Sequence, residues 1–165
     1  MKSAVTTVSF KTPYQVVINT DGNGTVAVNS GSATSNTQTF SVYLTGDAGV
    51  TGIPESLSLA VAGNANYAFK GWTDVAAVIS GTGSPYTLVP SGLGGTITVT
   101  ANFTALYTIA FDENGGIGGT LPANLTDVKV GDAVTLPAPS QAYIRDGYDS
   151  GNGWASNTDG TGTKV

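Results

Sequence analysis

The chain has 165 residues, of which 40% are apolar, 10% are charged and 23 are glycine, with a net charge of −5. It has no Cys and no His, which excludes a disulfide framework, thiolate chemistry and the usual general base or transition-metal ligand. Its six basic residues (Lys2, Lys11, Lys70, Lys129, Arg145, Lys164) are scattered, and no apolar run approaches the roughly 18 residues of a membrane span, so neither nucleic-acid binding nor membrane insertion is expected.

Low charge with abundant Gly, Thr, Ser, Asn and Val is a composition of strands joined by tight turns, and the expected fold class is all-β. Lys2 is followed by no apolar segment of the kind an uncleaved export signal requires. Residues 1–13 read as one strand, with Ala4, Thr6, Val8 and Phe10 on its more apolar face. Tyr14–Val26 reads as a β-hairpin, YQVVIN and TVAVN about TDGNG, because Asp-Gly and Asn-Gly supply the positive φ such a turn needs. Residues 29–39 are polar and suit a loop or an edge. FSVYL, SLSLAVAG and NYAFKGW follow as strands, residues 73–93 are mostly loop with a short PYTLV strand, and TITVTANF closes a first module over residues 14–104.

A second, shorter module, residues 105–165, opens with YTIAF. Phe10 aligns with Phe103 and Tyr14 with Tyr107 at one offset of 93 (103 − 10 and 107 − 14). Tyr67…Trp72 likewise matches Tyr148…Trp154 in order along the chain. The expected core anchors are therefore Tyr14, Trp72, Phe103, Tyr107 and Trp154.

YTIAFDENGGIGGTLP, VKVGDAVTLPAP, DGYDSGNGW and DGTGTKV together resemble the Listeria–Bacteroides, internalin B-type repeat, and residues 14–104 resemble its divergent relatives. That resemblance implies two small tandem modules, sandwich or β-grasp-like, with at most a short helix near residues 121–129, on an extracellular or cell-surface protein. It also implies a further strand after Lys164-Val165. The second module is thus short of a strand, while the N-terminal segment looks like the last strand of a module that does not precede it.

Three readings follow. The chain is a piece of a tandem array, such as an adhesin stalk; the N-terminal strand folds back within its own chain; or the strand of one copy completes the second module of its neighbour, giving a head-to-tail filament. Burying the face of Ala4, Thr6, Val8 and Phe10 would contribute on the order of 4–8 kcal/mol before ordering costs, enough to hold such a contact.

The residues that could carry other chemistry are few. Asn19, Asp21 and Asn23 before Gly24 have the spacing of the first half of a calcium loop, repeated at Asn157–Gly162, but neither copy has the bidentate Glu that completes one. Trp72 and Trp154 could stack on sugars as a carbohydrate-binding module does, or plug the core of each module. Asn23, Asn102 and Asn124 sit in glycosylation sequons. Lys11, Lys70 and Lys129 could form Lys–Asn crosslinks only if buried. No Ser-His pair, nucleophile elbow, phosphate loop or metal triad is present, so no catalytic residue is expected. The leading expectation is a non-enzymatic, self-associating structural protein without a cofactor.

Overall fold

The computed structural model describes residues 13–43, 55–73, 77–80, 84–90, 95–137 and 154–155. The chain divides into two compact units, with the boundary between Thr104 and Ala105. All regular structure among the described residues is strand: β1 Tyr14–Thr20, β2 Gly24–Val28, β3 Gln38–Val42, β4 Leu57–Gly63, β5 Tyr67–Thr73, β6 Ala77–Ser80, β7 Tyr86–Pro90, β8 Thr96–Ile109 and β9 Leu125–Lys129. The protein is all-β.

The first unit packs two sheets, ordered β3-β1-β8-β5 and β2-β4-β7-β6. Strict alternation along the strands sends one apolar set inward from each sheet. Tyr14, Val16 and Ile18 of β1, Val42 of β3, and Ile97, Val99, Ala101 and Phe103 of β8 come from the first. Val26 and Val28 of β2, Leu57 and Leu59 of β4 and Leu88 of β7 come from the second. These side chains form one core, with Phe40, Val61, Tyr67, Phe69, Trp72, Ile79 and Tyr86 packed around it. Burying each large aliphatic or aromatic member contributes roughly 1.5–3 kcal/mol.

Several expectations are corrected here. Tyr14–Val26 is not a hairpin: β1 pairs antiparallel with β3 and parallel with β8, whereas β2 pairs with β4. The Asp-Gly-Asn-Gly turn carries the chain from one sheet to the other, so Tyr14, Val16 and Ile18 face Val26 and Val28 across the core. Placed side by side in one sheet, the two strands would need another layer to cover their apolar faces. TITVTANF and the start of YTIAF are one strand, β8, because Thr104-Ala105-Leu106 holds no Gly or Pro to break it. The polar stretch 29–39 ends in β3, and β6 lies within what reads as loop.

In the second unit the end of β8 pairs antiparallel with β9, Tyr107 opposite Val128 and Ile109 opposite Leu125. The register shifts by one between these pairs, and Asp127 of β9 has a left-handed φ of 60°, the mark of a β-bulge. Leu125–Lys129 is thus a strand and not part of the short helix that the resemblance permits near 121–129. The donor-strand residues Ala4, Thr6, Val8 and Phe10 lie outside the described residues, as do Tyr148 and the second Asn/Asp repeat, Asn157–Gly162.

Candidate functional site

The turn between β1 and β2 is densely hydrogen-bonded. Asp21 is its hub. Oδ1 accepts the Asn23 N–H at 3.0 Å, closing an Asx turn, and Oδ2 accepts the Phe103 N–H at 2.7 Å from 82 positions away. The Asp21 N–H in turn donates to the Ala101 carbonyl at 3.1 Å. One carboxylate therefore satisfies both its own turn and the middle of β8, and bonds to an ionised acceptor are stronger than neutral ones.

Neighbouring residues complete the knot. Thr37 Oγ1 donates to Asn19 Oδ1 at 2.8 Å, Thr20 Oγ1 donates to the Ser35 carbonyl at 3.1 Å, and Asn64 Nδ2 donates to the Gly22 carbonyl at 3.2 Å. The three residues with calcium-loop spacing thus behave as turn and ladder residues: Asn19 and Asp21 direct their side-chain oxygens at donors within the fold.

Phe103 also explains Gly24. A methyl group at position 24 would collide with the tip of the Phe103 ring, which packs so closely on the β2 backbone that only Gly leaves room. Around Phe103 stands an aromatic cluster. Phe69 meets it edge-on at 5.7 Å between centroids, Trp72 meets Phe69 edge-on at 5.5 Å, and Tyr86 lies 5.3 Å from Phe69 and 6.2 Å from Trp72. Trp72 is half-buried here and belongs to the margin of the core rather than to an open platform. Asn102, one of the sequon residues, spends its Nδ2 on Gly71, Thr73 and Thr100 at 3.0–3.3 Å, tying β8 to β5. Asn23 is half-buried and Asn124 exposed, and so are Lys70 and Lys129, which rules these two lysines out of a buried isopeptide crosslink.

The second unit is built differently. Trp154 is half-buried, donates from Nε1 to the Pro137 carbonyl at 2.7 Å and lies 4.6 Å from Phe111 between ring centroids. Tyr107, aligned with the buried Tyr14, is 53% exposed. Ile117 and Val130 are 72% and 80% exposed, and Leu121 and Val134 are each 37% exposed. Every large apolar side chain described as exposed is in this unit, and every buried one is in the first.

Among the described residues no group of three or more acidic side chains converges in a way that could hold a metal ion, and no helix is long and apolar enough to cross a membrane. Sequence reasoning missed the two structural roles at the turn, Asp21 as a clamp on β8 and Gly24 as the seat of Phe103. Both depend on contacts about eighty residues apart, which no local pattern reveals. Comparison of the chain with protein-family models, with curated proteins and with solved structures gives no match.

Proposed function

We propose that this chain is a non-enzymatic extracellular structural protein that assembles head to tail. The N-terminal strand of one copy, carrying Ala4, Thr6, Val8 and Phe10, completes the second unit of the next. The observation that supports this is the partition of apolar surface among the described residues: the fully buried large side chains lie in the first unit, and the exposed ones, Tyr107, Ile117, Leu121, Val130 and Val134, in the second. A monomer that stays a monomer gains nothing from exposing these side chains, whereas an added strand would cover apolar surface and pair the backbone at the same time. A contact between different surfaces of identical chains does not close on itself, and so it propagates as a filament.

The test is negative-stain microscopy of the full chain beside a variant lacking residues 1–12. Filaments that disappear in the shortened chain support the reading, and monodisperse particles in both samples refute it. A second reading, a segment of a cell-surface stalk of tandem units, is favoured by the passage of β8 from one unit into the next without an intervening loop. Under that reading the full chain sediments as a monomer at every concentration.

A further inference from the structure

In the first unit, β1 lies between two partners. β3 runs antiparallel on one side, Tyr14 opposite Val42 and Val16 opposite Phe40, and β8 runs parallel on the other, from Gln15 opposite Thr96 to Thr20 opposite Ala101. The second unit repeats the first of these ladders: Tyr107, aligned with Tyr14, opposes Val128, and Ile109, aligned with Val16, opposes Leu125. There the likeness stops. Ala110–Glu113, aligned with Val17–Thr20, lie outside any strand.

The Asp turn is repeated by half as well. Asp112 Oδ1 accepts the Asn114 N–H at 2.6 Å, as Asp21 Oδ1 accepts that of Asn23, but among the described residues no strand amide meets the other oxygen of Asp112. In the first unit that second oxygen holds Phe103 on β8. Among the described residues the second unit therefore has the acceptor half of both devices, a ladder edge and a carboxylate, without the strand that uses them.

We infer that the strand is Ser3–Phe10 of a second copy, entering parallel to Ile109–Glu113 with one of its amides bound by Asp112. This inference rests on the proposed assembly and specifies its register. Ser3–Phe10 aligns with Thr96–Phe103 at the offset of 93 (96 − 3 and 103 − 10), so the β1–β8 register transposes directly. Ala4 then stands opposite Ile109, Thr6 opposite Phe111 and Val8 opposite Glu113. Asp21 follows Tyr14 by seven positions (21 − 14) and Asp112 follows Tyr107 by five (112 − 107), so the amide that Asp112 receives is that of Val8 rather than Phe10.

Charge points to the same occupant. Between Ala105 and Pro137 the chain carries Asp112, Glu113, Asp127 and Asp132 against Lys129 alone, while residues 1–12 carry Lys2 and Lys11 and no acid. Such complementarity steers the encounter.

The absence of Cys makes disulfide trapping unambiguous. Full-length chain carrying Ala4→Cys and Ile109→Cys, oxidised during assembly, is expected to give a ladder of covalent oligomers on a non-reducing gel. Val8→Cys with Ile109→Cys places the thiols about 13 Å apart along the strand, beyond disulfide reach, and is expected to give none. Trapping by the second pair and not the first overturns the register. Trapping of the first pair within single chains overturns the second copy as occupant. If neither pair traps while filaments are seen, this inference fails and the proposed assembly stands; if no filaments form at all, both fail.

Asp112→Asn keeps an oxygen for its own turn but puts a donor where the strand amide arrives. It is expected to raise the concentration for half-assembly about ten-fold or more. Unchanged assembly of that variant removes Asp112 from the interface.

Discussion

Replacing Gly24 by Ala asks whether the seat of Phe103 is as rigid as the structure implies. The added methyl collides with the tip of the Phe103 ring, so the ring or the strand must shift. Gly24 is fixed opposite Gly63 in the β2–β4 ladder. Phe103 is held by the hydrogen bond that its backbone N–H donates to Asp21 and by edge-on contact with Phe69 at 5.7 Å. Overpacking of this kind costs about 1–3 kcal/mol, and displacing a ring that is only 6% exposed forfeits some of its burial as well, so about 2–4 kcal/mol is expected. At about 4–8 °C per kcal/mol for a unit of this size, the midpoint falls by 10 °C or more, by order of magnitude. The assay is urea unfolding followed by Trp72 fluorescence in a Trp154→Phe background, so that the signal reports the first unit. A double-mutant cycle isolates the contact: Phe103→Ala alone costs about 3–5 kcal/mol, and Gly24→Ala added to it costs far less than in the parent. Additivity within about 0.5 kcal/mol refutes the argument, because the penalty would then come from the backbone of β2 and not from the ring.

Asp21→Asn keeps the Asx turn but turns a donor toward the Phe103 amide; the expected loss is about 1.5–3 kcal/mol in the same assay. Leu59→Ala, at a fully buried position facing the other sheet, is expected to cost about 2–5 kcal/mol. Ile117→Ser, 72% exposed, is expected to change the stability of the isolated chain by less than about 0.5 kcal/mol while lowering its tendency to assemble, read by light scattering. Lys2→Glu with Lys11→Glu is expected to slow assembly most at low ionic strength, and the gap to the parent should narrow in about 0.5 M salt.

The strands were legible because period-2 alternation of Val, Ile, Leu and Thr between Gly, Asn and Asp turns leaves little else for such a chain to form. What was not legible is which strands share a sheet. Asp21-Gly22-Asn23-Gly24 announces a turn, but a hairpin and a crossing between sheets require the same local backbone, with Gly22 at φ 89°. The choice is made by Ala101 and Phe103, which bond to Asp21 and so set the end of β1 beside β8. The aligned Tyr14 and Tyr107 misled in a different way. Identical residues in matching ladders have opposite burial, 4% and 53% exposed, because burial is decided by the opposing sheet and not by the strand itself. β6 was missed because four residues, Ala77–Ser80, are too few to show a period.

The contrast between the two tyrosines also bears on why assembly by strand addition suits this architecture. Tyr14 is covered because β1 has a neighbour on each side and a second sheet above it. β8 supplies one of those neighbours from the far end of the first unit, so that unit closes only when its last strand returns to its first. A segment with the alternation of β8 placed before β1 cannot serve its own unit in that way, since the site beside β1 is already taken by Thr96–Ala101. Under the proposed assembly the same segment fits a β1-like strand that stands beside a β3-like partner and has no β8-like neighbour among the described residues, as Tyr107–Ile109 beside β9 does. In that assembly, closure of the first unit and the open ladder edge that the described residues of the second present are two consequences of one rule of pairing.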